Sequence, residues 1–422
     1  MSNITATVTT ASTTYYGPST LSYDSNGSVS VGDSVYVLWR EGDWYYINYP
    51  VGSSITPSNR RKCMYVPCSV LSNLSETPYT YTAETYTSKE LKEDFMSYTG
   101  PSAAYENAVE VYADWAIQQV NGITKNGFAF IEFPGDGNRY KRAWIPISKF
   151  TDYTPSNFTY SSEQVDGKTM HIMEVDPSKI VITELGEKMT LAESGFFGVN
   201  GGTSSRTISD DESERENADQ ITRINKVFTI AVNEDEPILN SFVPANTYGR
   251  IYDGTFNDTV YSCLTWTGSQ IDVKNFVNLE RLSTETITAS PKVWCIGGMN
   301  LHLTKQMTDT AIHGLGDTIE EDFKRQCLYY DDPNEIYTSI SKRTVIAADL
   351  QNNRIYLVAV TTGCDISTLR QCLIKYFRDV KGKNLENIVA LNVDGGGSTV
   401  MRYSNTGVTP ATRWLHTCIS IV

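Results

Sequence analysis

Residues 388–399 read Ile-Val-Ala-Leu-Asn-Val-Asp-Gly-Gly-Gly-Ser-Thr: an apolar run that ends on one carboxylate, three glycines and two hydroxyls. Positions 388–393 have the length and composition of a buried strand. Asp394 therefore stands where a core strand ends. Three glycines let the backbone approach a ligand closely and turn N–H groups inward, and Ser398 and Thr399 add hydroxyl donors. Such a turn suits a phosphate or sugar oxygen held beside a reacting carboxylate. No Gly-Lys-[Ser/Thr] follows these glycines, so the turn is not a nucleotide P-loop. The same residues also read as a hairpin, because Asp-Gly between apolar runs is a strong turn signal and 400–403 supply a return strand.

The sequence on either side extends this unit. Residues 344–348 read as a strand, Gln351-Asn352-Asn353 as a turn and 355–360 as the returning strand. A helix follows, with Asp365 or Ser367 as N-cap. Its apolar residues Leu369, Cys372, Leu373, Tyr376, Phe377 and Val380 recur at helical spacing, and Gly382 closes it. Further upstream, 170–176 and 179–183 are strands separated by a turn at Pro177. The expectation is an α+β catalytic domain over 168–422.

In this order the segments resemble the phosphodiester glycosidase family. Asn392 to Thr399 is similar to that family's Asn-Leu-Asp-Gly-Gly-Gly-Ser-Thr signature. Arg343-Thr344-Val345-Ile346-Ala347 is similar to its Arg-Thr-Ala-Ile-Gly strand, and 413–421 to its closing Arg-containing strand. Ala192-Glu193-Ser194-Gly195-Phe196-Phe197 is similar to its Ile-Asn-Gly-Gly-Phe-Phe segment. There Glu193 and Ser194 replace Asn and Gly, and Asn200-Gly201-Gly202 offers the missing amide by another route.

The resemblance implies cleavage of a sugar-1-phosphate diester at the anomeric carbon. The leaving group is a phosphate monoester, already acidic, so catalysis rests on neutralising phosphate and stabilising an oxocarbenium-like centre. Asp394 is then nucleophile, base or electrostatic stabiliser. Gly395, Gly396, Gly397, Ser398 and Thr399 bind phosphate or sugar oxygens, with Asn200 beside them. Arg343 and Arg413 clamp the phosphate, as planar guanidinium geometry suits. Glu193 is a second carboxylate candidate and His416 an acid candidate. Each has a bland counterpart: strand-end ion pairs for the arginines, a hydrogen-bonded strand residue for the histidine. No cofactor is implied.

The first 150 residues carry a weak repeat. Each copy has a Gly-containing turn before a β-rich run, Val31-Gly32 or Asn126-Gly127. A second turn follows, Glu41-Gly42-Asp43 or Pro134-Gly135-Asp136. Each copy closes on aromatic-aliphatic-Pro-x-Ser: Tyr65-Val66-Pro67-Cys68-Ser69 and Trp144-Ile145-Pro146-Ile147-Ser148. Short strands broken by Gly turns argue for small barrels. The first copy resembles the bacterial Src-homology-three-like module, whose members bind cell wall or act as spacers. The full expectation is two small all-β barrels at 1–73 and 103–153, linkers at 74–102 (with a short helix near 89–96) and 154–167, then the catalytic domain.

Composition narrows the partners. A net charge of -14, with no dense Lys/Arg cluster, argues against nucleic acid, whose binding needs basic patches. The eight cysteines are scattered without a CxxC pair, and a Cys63–Cys68 bridge is open but not required. The acidic stretch Asp210, Asp211, Glu212, Glu214, Glu216, Asp219 lacks the glycine of a calcium loop and reads as solvated. The N-terminus has no signal-peptide pattern, and no apolar run reaches the length of a membrane span. Wall-binding-type modules without a signal point to an extracellular or virion-associated protein, such as a bacteriophage tail component. Its partners would be a surface glycopolymer and other virion proteins.

Overall fold

The computed structural model describes residues 4–51, 61–82, 85–186, 188–202, 231–233, 236–237, 261–277, 293–310, 317–326, 337–409 and 413–422. The acidic stretch at 210–219 lies outside them. The chain divides into two units, Met1–Thr154 and Pro155–Val422.

In the first unit, β1 (Ile4–Val8), β2 (Ser12–Tyr15), β3 (Ser25–Val29), β4 (Ser34–Glu41), β5 (Trp44–Pro50), β6 (Arg61–Pro67) and β7 (Leu71–Ser72) form an antiparallel sheet in the order β3-β2-β6-β5-β4-β1-β7. A second sheet holds β8 (Tyr86–Lys89), β9 (Phe95–Tyr98), β10 (Asn107–Val111), β11 (Ile117–Lys125), β12 (Phe128–Pro134) and β13 (Tyr140–Pro146), in the order β10-β9-β13-β12-β11-β8. Strand for strand, β8–β13 repeat the pairing of β1–β6. Both copies end on a proline, Pro67 or Pro146, followed by a 3₁₀ turn, Cys68–Val70 or Ile147–Lys149. Proline's fixed φ and missing N–H stop the ladder at the same point in each.

This pairing corrects the expected boundaries. The second copy begins at Tyr86, so 74–102 is not a linker and holds no helix at 89–96; it supplies β8 and β9. The Thr/Ser/Tyr richness that suggests a linker is also strand propensity, and three of the four β8 residues are exposed, which hides the alternation. The register of the repeat shifts as well. Gly42 turns β4 into β5, and its counterpart is Asn126-Gly127, both at positive φ, between β11 and β12. Each copy is one antiparallel sheet of short strands, a β-rich fold consistent with the expected small barrels. Cys63 and Cys68 are free thiols.

The second unit begins earlier than expected. Residues 154–167, read as a linker, contain β14 (Phe158–Val165), which pairs along its whole length with β15 (Lys168–Val175) through the turn Asp166-Gly167. Both turn residues have positive φ, as a tight hairpin requires. Then come β16 (Ile180–Glu184), β17 (Phe197–Asn200), β18 (Ala231–Asn233), β19 (Glu236–Pro237), β20 (Tyr261–Trp266), β21 (Ile271–Val277), β22 (Trp294–Asn300), β23 (Ser341–Asp349), β24 (Arg354–Cys364), β25 (Ile388–Asn392), β26 (Met401–Arg402) and β27 (Thr417–Ile421). The described helices include α1 (Leu191–Ser194), α2 (Ile319–Gln326) and α3 (Ile366–Lys375).

The expected α+β class is therefore corrected to a mostly β unit built of antiparallel sheets. A ten-stranded sheet runs β14-β15-β24-β23-β25-β22-β18-β19, with β20 and β21 joined at β22. A four-stranded sheet runs β16-β27-β17-β26. Helical periodicity is strong at 366–380, where Asp365 caps α3 by accepting from Thr368 N at 2.6 Å. Leu369, Cys372, Leu373, Tyr376 and Phe377 pack there on Val345, Ala347, Tyr356 and Val358 of the large sheet. Each such fully buried side chain contributes about 1.5–3 kcal/mol. That packing fixes β23, β24 and β25, the strands that carry the glycine turn.

Candidate functional site

The glycine turn is a crossover between the two sheets. Val393 N donates to Thr344 O of β23 at 3.0 Å, and the next residue, Asp394, donates its N–H to Gly201 O at 3.3 Å. After the turn, Met401 pairs with Val199 of β17, not with β25. The hairpin reading is thereby overturned.

Within the turn, Gly396–Ser398 is one 3₁₀ turn, with Ser398 N donating to Gly395 O and Thr399 N to Gly396 O. Gly395 N donates to the carboxylate of Asp394 itself at 2.9 Å. Asp394 is half-buried; Ser398 and Thr399 are buried. Gly396 has φ +62, open to glycine at no steric cost.

Arg413 comes onto this turn from 15 residues further along the chain. Its Nη1 donates to Ser398 Oγ at 3.2 Å. The guanidinium lies flat enough on Gly397 that a Cβ there would stand 3.0 Å from Nη2 and 3.2 Å from Cζ. Arg413 is half-buried. A planar cation with donors in a fork, over a glycine turn and near a carboxylate, makes an oxyanion-binding corner.

Asn200 holds the corner together. Its Nδ2 donates to Asp394 O at 2.9 Å, and its Oδ1 accepts from Thr344 Oγ1 at 2.7 Å and Val400 N at 3.1 Å. It is 1 % exposed. Its amide is committed to the protein, so it positions the turn and is not the ligand contact expected of it. The Asn-Gly-Gly segment beside the signature is thus Asn200-Gly201-Gly202.

Three other expected site residues serve elsewhere. Glu193 is exposed, and with Thr190 it forms the capping box of α1: Glu193 Oε2 accepts from Thr190 N at 2.7 Å while Thr190 Oγ1 accepts from Glu193 N at 3.1 Å. Arg343 is buried, with Nε donating to Cys364 O at 3.1 Å and Nη2 to Ser339 O at 2.6 Å. Its stem lies beside the turn: Cδ would stand 3.8 Å from a Cβ on Gly395. His416 is buried at the start of β27, and its carbonyl accepts from Leu185 N and Gly186 N.

Two residues near the corner escaped the sequence reading. Thr344 bonds Asn200, and Thr417 stands beside Gly201, whose N–H donates to Thr417 O at 2.9 Å. The hydroxyls of Thr399 and Thr417 are buried and have no hydrogen-bond partner among the described residues. Their signal in the sequence was faint: a lone polar residue next to a motif. Among the described residues no group of His, Cys, Asp or Glu is arranged to hold a metal, and no helix is long and apolar enough to cross a membrane.

No family model and no curated protein matches the sequence. Among solved structures, the chain is similar to the zebrafish N-acetylglucosamine-1-phosphodiester α-N-acetylglucosaminidase catalytic domain auto-inhibited by its pro-peptide. That match has 15% identity and a TM-score of 0.37, over 64% of this chain and 84% of the other. A hypothetical protein from Synechocystis matches at 10% identity and TM-score 0.32, over 94% of this chain and 97% of its own.

Proposed function

We propose that the second unit is a glycosidase acting on sugar-1-phosphate diesters in a surface glycopolymer of the teichoic acid or capsule type, with the first unit holding the enzyme to the wall. The seat of Arg413 on Gly397 and Ser398, on the turn that Asp394 opens, carries this reading. The guanidinium, the Ser398 hydroxyl and the amides of Gly396 and Gly397 neutralise the phosphate. Stabilising the departing monoester weakens the anomeric C–O bond, and the Asp394 carboxylate balances the positive charge that grows on the sugar ring.

The test uses the full chain with synthetic hexose- and N-acetylhexosamine-1-phosphate methyl diesters, read as free reducing sugar. The expected result is release from at least one diester, abolished in Asp394→Asn with the fold intact by circular dichroism. Release that survives in Asp394→Asn removes this carboxylate from the mechanism. A second reading, glycan binding without cleavage, draws on the engagement of Glu193 in a helix cap, which takes one expected carboxylate out of the site. It predicts saturable binding of the diesters and no sugar release.

A further inference from the structure

Cys263 and Cys295 lie in the large sheet, on the neighbouring strands β20 and β22. Both side chains are fully buried, and both are free thiols. The register fixes how they meet. Thr265 stands directly opposite Cys295, and its Oγ1 donates to Cys295 Sγ at 3.3 Å, so these two side chains share a face. Cys263 is two residues before Thr265 on the same strand and points to that face as well. Directly opposite Cys263 is Gly297, which has no side chain to set between Cys263 and its diagonal neighbour. That neighbour is Cys295, and the two thiols hydrogen-bond to each other.

From this contact we propose that Cys263 and Cys295 are a disulfide site, bridged when the chain folds in oxidising surroundings. Diagonal neighbours on adjacent strands are within reach of side chains that lean together, and here sulfur already meets sulfur. The bridge forms during folding, not after it. Burial, then the contact with Cys295, holds the Cys263 thiol well above its ordinary range, and a thiol sealed from solvent does not exchange. While the strands are open, the Cys263 thiolate attacks a low-molecular-weight disulfide such as oxidised glutathione. A mixed disulfide forms and one glutathione leaves. The Cys295 thiolate then attacks the Cys263 sulfur and displaces the second glutathione. Two protein thiols are oxidised, one glutathione disulfide is reduced, and the two protons the cysteines lose end on the two glutathiones. Strand β22 also pairs with β25 at Met299 and Asn392, two residues before Asp394, so the bridge braces the strand beside the one that opens the glycine turn. The bridge is independent of the glycosidase reading, and a chain that cleaves no diester leaves it untouched.

The experiment makes the full chain by cell-free synthesis in a glutathione buffer of oxidising poise, and again with dithiothreitol. The soluble product of each is alkylated in guanidinium chloride, digested without reduction and read by mass spectrometry. In the oxidised product two of the eight cysteines should escape alkylation, and one linked peptide pair should carry Cys263 and Cys295. In the dithiothreitol product all eight should be alkylated. Eight alkylated cysteines in the oxidised product overturn the proposal, and so does a bridge that joins either residue to another cysteine. Cys263→Ala and Cys295→Ala are the controls. Each should leave every remaining cysteine alkylated in both preparations. If either oxidised variant still hides two cysteines, the bridge belongs elsewhere in the chain and the proposal falls.

Discussion

Asn200 Nδ2 donates to the backbone carbonyl of Asp394 at 2.9 Å, across 194 residues of chain. The same side chain accepts from Thr344 of the large sheet and Val400 of the small one, so one buried amide pins the glycine turn to both. Asn200→Ala leaves a buried carbonyl, a hydroxyl and an N–H to find new partners. At about 1–3 kcal/mol for each group left unsatisfied, the three together cost roughly 3–9 kcal/mol, and less for each one that finds a new partner. Thermal unfolding of full-length protein checks this, and Asn200→Asp, which sets a buried carboxylate oxygen against the Asp394 carbonyl in place of the donor, should be no more stable than Asn200→Ala.

Gly397→Ala separates binding from folding. The new methyl meets the far end of Arg413, a flexible side chain that can swing away, so the melting temperature should hardly change. The oxyanion corner then loses its cation. KM for a phosphodiester should rise about tenfold, as when a bidentate contact is lost, and Arg413→Lys should do the same because an ammonium cannot lie flat on the turn. An unchanged KM in both variants would take Arg413 out of substrate binding.

How far the sequence reveals this site depends on which residues face a local signal and which face a distant one. Strand β25, the turn 394–399, the cap at Asp365 and the apolar face of α3 are written in contiguous residues with clear periodicity, and the structure places them where the pattern points. Whether the turn is a hairpin or a crossover depends on what β26 pairs with, and nothing near 400 encodes its partner Val199. The role of Glu193 went astray for a related reason: Thr-Leu-Ala-Glu is a local capping box at 190–193, and a carboxylate there answers to the helix end. Asn200, at the end of a four-residue strand, looks ordinary until its three distant partners are known. The six-strand repeat was visible in its Gly turns and where its strands end in Pro67 and Pro146; β8 and β9 carry residues that read equally as linker or edge strand. The α+β class failed because one strong helix was weighed above many short strands.

His302 makes stability depend on pH. Burial, then the nearby cations Arg370 and Lys305, pushes its imidazole down to about 4. Arg370 of α3 donates to the carbonyls of Leu301 and His302, so that positive charge is fixed beside the ring. Between pH 6.5 and about 4 the unfolded chain takes up a proton that the folded chain refuses. Stability from this group is complete above about 6.5 and is lost as pH falls through that window, by up to roughly 3 kcal/mol. His302→Asn suits the backbone, since His302 sits at φ +41 and asparagine tolerates that region. The variant should show a shallower fall in urea midpoint from pH 7 to 4.5 than wild type; parallel curves would count against the ring.

Arg142 is the centre of the first unit, and its loss should be the most damaging single change there. Its side chain is 2% exposed and bridges two carboxylates, Nη1 to Glu41 Oε2 at 3.0 Å and Nε to Glu132 Oε2 at 2.8 Å. Glu41 ends β4 of the first sheet and Glu132 lies in β12 of the second, so the arginine joins the two copies of the repeat. Tyr65 OH donates to Glu41 and Tyr23 OH to Glu132, which completes both carboxylates. The guanidinium also stands 5.0 Å from the Tyr23 ring centroid and 5.9 Å from that of Tyr65. Arg142→Met keeps much of the volume but strands two buried negative charges, at a cost of about 3–5 kcal/mol. Replacing Glu41 and Glu132 by Gln in the same chain removes those charges, so the triple variant should recover a substantial part of the loss, a coupling that independent sites would not show. Tryptophan fluorescence reads the transition, because Phe130 packs against both Trp39 and Trp144, at 5.7 and 4.9 Å, and Arg142 lies over the same ring. If Arg142→Met unfolds at the wild-type midpoint, the two sheets are held by their apolar faces alone, and the charge bridge between the copies contributes nothing measurable.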